Sequence, residues 1–285
     1  MRLPDPKIIL FNAAAVVVTA AAVFAAVKSM LVPPTAAPCS ERYLNMTAFA
    51  LERGGVLLTA AELQAAVSGR DAGVIDNVAI ARVDDAPAPL AMAVSLPKGS
   101  ASPHAASGAR GGVSFPWEPR ALAGKTSACL SYHVRLAADF DFNRGGALPG
   151  LAGAEAGERG DRFLARLAWR PNAAGGVTLR VSDGGVARTM VAERSSFDFP
   201  RGRWVRLEQE VVLNTPKAND GTLRVWVDGA LVIERNDIAY RAKSDVSLTG
   251  VSADVYYGTE DGREGAPRDT KVWLSPFEVR WQQGG

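Results

Sequence analysis

Arginine recurs at alternate positions of several short segments, close to aromatic or hydroxyl side chains. In RFLARLAWR, Arg166 and Arg170 share a face with Leu164 and Ala168, while Phe163, Ala165, Leu167 and Trp169 share the other. In GVTLRV, Thr178 and Arg180 oppose Val177, Leu179 and Val181. In GTLRVWVD, Arg224, Trp226 and Asp228 oppose Leu223, Val225 and Val227. In CLSYHVRL, Ser131, His133 and Arg135 oppose Leu130, Tyr132, Val134 and Leu136. A guanidinium fork bonds a carboxylate through two parallel hydrogen bonds, and an aromatic ring covers the apolar side of a sugar. Arginines beside Trp226 or a tyrosine therefore suit an acidic sugar chain. His133 titrates near neutral pH and can serve as a base. Tyr256 or Tyr257, in VYYG, can give or take a proton, one of the two facing the core.

The stretch DFDFNRGGALPGLAG adds a loop to this set. Gly145 and Gly146 give the backbone freedom to turn tightly beside Arg144 and leave room for a ligand. Leu148-Pro149-Gly150 reads as a turn. Asp139, Asp141 and Asn143 have the spacing that opens a calcium loop. The sixth position is Arg144 rather than glycine and the twelfth is Gly150 rather than glutamate, so no metal site is read there. With His104 and His133 the only histidines, no metal or other cofactor is expected.

The elements that must hold these groups are mostly strands. From residue 111 onward, strand-like runs alternate with turn residues at regular spacing, the pattern of a β-sandwich or jelly roll. Asp228-Gly229 supplies a two-residue hairpin turn. Before that, Thr59 and Glu62 form a capping box for a helix that Gly69 ends, and PLAMAVSL reads as a strand. The expected organisation is a signal or anchor with its linker over 1–38, a small N-terminal α/β extension over 39–110, and an all-β domain over 111–285.

Of the 285 residues, 47% are hydrophobic and 22% charged, enough for a sizeable core. The 32 basic and 30 acidic side chains leave a net charge of only +2, which argues against nucleic-acid binding. Residues 8–27 carry no charge and would rise about 30 Å as a helix, the layout of a membrane anchor or a long secretory signal. Either role places the remainder outside the cytoplasm, on the membrane if the segment stays uncleaved. The two cysteines, Cys39 and Cys129, are then expected to form a disulfide.

LSYHVRLAADFDFNRGGALPGLAG resembles the segment of family 14 polysaccharide lyases that reads as a strand followed by K-G-G-K-L-P-G. RFLARLAWR, GRWVRLEQEVVLNTPKANDGTLRVWVDG, VSADVYYG and PRDTKVWLSPFEV resemble later strands of that family, so the likeness covers about residues 111–280. It implies an all-β, concanavalin-like jelly-roll β-sandwich with a concave polar face, cleaving uronate polymers such as alginate or glucuronan by β-elimination. In the family, loop lysines, an arginine with a nearby serine, and two tyrosines carry the site. Here the first lysine falls on Arg144 and the second on Ala147. The arginine falls on Arg166, the serine on Leu164, and the next strand offers Thr178 and Arg180 but no tyrosine.

The expected site is therefore Arg144, Gly145, Gly146, Arg166, Arg180 and Trp226 for binding, with His133 or Tyr256 in proton transfer. An exported uronan lyase and a non-catalytic glycan-binding protein on the same fold both fit, and a structural envelope protein without a glycan ligand is the third reading.

Overall fold

The alternation read from the sequence is realised as two antiparallel sheets that share one core. The computed structural model describes residues 36–142, 144–155, 160–258 and 265–282, together with Thr19. Apart from Thr19, the apolar run 8–27 lies outside these residues. Among the described residues, no helix is long and apolar enough to cross a membrane.

In the larger sheet the strands run Ala230–Ile238, Gly221–Val227, Trp204–Val212, Ser127–Leu136, Thr270–Leu274, Leu90–Leu96 and Val78–Arg82. Glu278–Trp281 also pairs with Ser127–Leu136 and carries Asn45–Ala48 beside it. The smaller sheet runs Val186–Asp198, Ala174–Asp183, Arg162–Trp169, Gly146–Ala154, Ser247–Ser252 and Pro116–Trp117, with Tyr256–Tyr257 also on Gly146–Ala154. Val78–Arg82 and Leu90–Leu96, assigned by sequence to the N-terminal extension, thus complete one edge of the larger sheet. Asp228 and Gly229 both have positive φ, as the hairpin turn requires.

The core is made of one face from each sheet. Leu130, Tyr132, Val134 and Leu136 of one sheet meet Phe163, Ala165, Leu167 and Trp169 of the other, all nearly inaccessible to solvent. Leu148-Pro149-Gly150 is not a turn. It lies inside the strand Gly146–Ala154, where the register against Arg162–Trp169 shifts between Leu148 and Gly150. Two polar side chains of the larger sheet cross the core to this bulge. The Tyr132 hydroxyl donates to the Pro149 carbonyl at 3.0 Å, and Gln209 accepts from the Leu151 amide and donates to the Ala165 carbonyl, both at 2.8 Å. Gln209 has no solvent exposure, so its amide group must be satisfied inside the protein.

The outer face of the larger sheet is covered by the short helix Cys39–Arg42 and the residues after it. Cys39 and Cys129 are disulfide-bonded with their Cα atoms 5.7 Å apart. Glu208, about 1% exposed, accepts from the Ser40 amide at 3.0 Å. Glu210, equally buried, accepts from Arg42 and from the Tyr43 hydroxyl at 2.8 Å each and from Arg224 at 3.1 Å. Burial opposes the ionisation of Glu210, but these donors outweigh it and hold its carboxyl below the ordinary value.

Candidate active site

With Phe163, Ala165, Leu167 and Trp169 committed to the core, Leu164, Arg166 and Ala168 are left on the outer face of the smaller sheet. The register sets Arg166 opposite Thr178 on one side and Gly150 on the other. Leu164 stands opposite Arg180, and Ala168 opposite Ala147. Tyr256 pairs with Ala147 from the strand beyond, which brings it to the same face.

These residues surround a cavity of about 410 Å³ whose lining includes Gly145, Gly146, Arg166, Arg170, Arg180 and Tyr256. The Nη1 group of Arg166 donates a hydrogen bond to the Tyr256 hydroxyl and stands 3.5 Å from a carboxylate oxygen of Asp254. Asp254 is 3% exposed and also accepts from Ser252 Oγ at 2.8 Å. Arg170 donates to Thr178 Oγ1 at 2.8 Å. A cation, a buried phenol and a buried carboxylate are thus linked at the wall of the groove. Such a set can neutralise a bound carboxylate and move a proton beside it.

Tyr257 faces the opposite way. Its ring stacks on Phe140 with centroids 5.3 Å apart, and its hydroxyl donates to the Asp141 carbonyl at 2.8 Å. Burial, first of all, pushes its phenol well above the usual value. The aromatic residues of DFDF are therefore core, with Phe140 and Phe142 packed on each other.

Of the residues singled out in the sequence, Gly145, Gly146, Arg166, Arg180 and Tyr256 meet in this cavity. Arg144 is exposed on the loop just before it, and its carbonyl accepts from Trp169 Nε1 at 3.1 Å. His133 and Trp226 do not meet them. His133 is on the outer face of the larger sheet, in register with Arg206. Its partial burial, and then the Arg206 charge, hold the imidazole below its usual pKa. Trp226 is fully buried on that same face, with the Arg42 guanidinium 5.7 Å from its ring centroid. Both have the right parity for a polar face, but that face belongs to the other sheet.

The glycine pair also has a different cause from the one expected. Neither Gly145 nor Gly146 has positive φ. A Cβ on Gly146 would run into the Trp169 indole ring. The glycine is thus required by packing, and Gly146→Ala is expected to cost roughly 1–3 kcal/mol through overpacking. Chemical denaturation would measure it, and a neutral result would show that the indole can move aside.

The chain matches the family model Polysaccharide lyase 14 over residues 85–277. It belongs to that family. Among solved structures it is similar to the PL-14 alginate lyase of Aplysia kurodai, at 23% identity and TM-score 0.60, over 73% of this chain and 88% of that one. It is also similar to an alginate lyase from a Chlorella virus, at 18% identity and TM-score 0.62, over 78% and 97%. The endo-β-1,4-glucuronan lyase of the fungus Trichoderma reesei is similar at 14% identity and TM-score 0.55, over 72% and 87%. No curated protein matches. These likenesses show a common fold. Within this polysaccharide lyase 14 family member, Asp254, buried beside Arg166 without lining the cavity, is the residue of this set that sequence reasoning missed. An acidic residue just before the strand Tyr256–Tyr257 was the available signal.

Proposed function

We propose that this family member cleaves a uronate-containing polysaccharide of the alginate or glucuronan type by β-elimination. The observation that carries the reading is the hydrogen bond between Arg166 and Tyr256 at the wall of the groove. Arg166 takes the uronate carboxylate, which makes the C5 proton more acidic. Tyr256 removes that proton, the C4–O bond breaks as the C4=C5 double bond forms, and the leaving oxygen is protonated by the same phenol or by water. Asp254 holds Arg166 in place. Export is part of the same reading, supported by the Cys39–Cys129 disulfide and the uncharged run 8–27.

A second reading, polymer binding without turnover, is favoured by Ala147. The position that the family resemblance gives to a lysine carries no functional group here. The full-length chain, incubated with alginate and with glucuronan, separates the two. Ultraviolet absorbance of the unsaturated uronate product is expected to rise. Binding without absorbance would select the second reading, and neither would overturn both. In the active protein, Asp254→Asn is expected to lower kcat between about tenfold and a hundredfold, because a misplaced guanidinium no longer meets the carboxylate. An unchanged kcat would remove Asp254 from the mechanism.

A further inference from the structure

The groove does not stop at Arg166. A second cavity, of about 570 Å³, continues along the outer face of the smaller sheet. Arg162, Arg180 and Ser252 line it, and Arg70 and Glu118 wall one side. Arg180 lines both cavities, and Ser252, in the second, donates to Asp254, the carboxylate that stands 3.5 Å from Arg166 of the first. Arg162 and Arg166 lie on one strand four residues apart, roughly 13 Å along the chain. The floor between them is low, because Gly150 and Ala152 stand opposite Arg166 and Leu164. A Cβ on Gly150 would meet the Ala165 carbonyl, so the strands could not approach as they do with a larger residue there.

Among the described residues, the charges lining this second cavity are three guanidinium groups and one carboxylate. That carboxylate, Glu118, already pairs with Arg70 at 2.6 Å. The balance is positive. Arg70 comes from outside the family-matched residues 85–277. Its position is set by the helix Ala60–Ala66, which the Thr59–Glu62 capping box starts. Gly69 ends the helix with φ +66° and returns its amide to the Gln64 carbonyl. Two residues beyond Arg70, the Ala72 and Ser114 backbones exchange hydrogen bonds of 2.8 and 2.9 Å, which docks the segment against the groove.

We infer that the second cavity is a separate anion-binding subsite, holding a distant carboxylate of the same polymer while Arg166 holds the one at the scissile bond. The inference rests on the uronate reading above. It makes the protein selective for chains long enough to reach both sites.

The test compares the full-length wild type with Arg162→Gln and Arg70→Gln, each on alginate and glucuronan as polymers and as purified trisaccharides. Thermal melts confirm folding, and both positions are exposed. Losing a charge-assisted hydrogen bond in the subsite is expected to raise the polymer KM about tenfold. The trisaccharide KM should stay unchanged. Should the wild type bind without cutting, the same comparison is read in Kd. Equal changes for polymer and trisaccharide, or no change in either, would overturn the subsite and leave the uronate reading intact. A wild type that neither binds nor cuts these substrates would overturn both.

Discussion

A Tyr256→Phe variant is expected to bind polyuronate as the wild type does and to cut it about a thousandfold more slowly, within the range for loss of a positioned proton-transfer group. Phenylalanine keeps the ring, and with it the packing and the Arg166 guanidinium 5.7 Å from the ring centroid. Only the hydroxyl goes, and with it the oxygen that Arg166 Nη1 addresses. The loss should therefore appear in kcat rather than KM. His133→Ala is the matching control. That imidazole lies on the other sheet, across the core from the groove, and its removal is expected to leave kcat unchanged. A Tyr256→Phe protein within about threefold of wild type would remove the phenol from the reaction. A large loss in His133→Ala would move the chemistry to the other sheet.

The second large effect concerns stability. Removing the disulfide as Cys39→Ala/Cys129→Ala is expected to cost roughly 4–5 kcal/mol in the chain-entropy account, since the bond joins residues 90 apart in sequence. The bond also holds in place the segment that supplies Ser40, Arg42 and Tyr43 to two buried glutamates. Chemical denaturation at neutral pH measures the loss, and less than about 1 kcal/mol would mean that these polar contacts hold the segment unaided. Acid should act on the same place. The folded Glu210 carboxyl titrates below its ordinary value, so its contribution is present above about pH 4.3, the unfolded reference. That contribution is lost as pH falls through the lowered folded value. Glu210→Gln should flatten this part of the acid profile.

Much of the groove was legible because a strand's alternation fixes parity. Arg166 had to oppose Leu167 and Trp169, and it does. Parity does not say which sheet a strand joins, however. A sandwich has two outer faces with the same polar pattern, so His133 and Trp226 looked like neighbours of Arg166. Trp226 is hidden by a segment more than 180 residues earlier in the chain, which alternation cannot report. Tyr256 and Tyr257 had to face opposite ways. Which one faced the core depended on the Asp141 carbonyl, a contact over a long sequence separation. Pro149-Gly150 carried the composition of a turn, yet it forms a bulge inside a strand because Tyr132 and Gln209 satisfy the backbone there.

Gln209 has a mechanical consequence. Its carbonyl and its amino group are both engaged at the bulge beneath Arg166, one with Leu151 and one with Ala165. Sliding one layer of the sandwich over the other would break both bonds in a dry interior, at about 1–3 kcal/mol for each group left unpaired. Shear between the layers is thereby closed off as a route for adjusting the groove's width. Any widening to admit a polymer must come from the rim, where Arg144, Gly145 and Gly258 lie outside the strands and the Gly258 amide donating to the Gly145 carbonyl at 2.7 Å is the contact that would have to give.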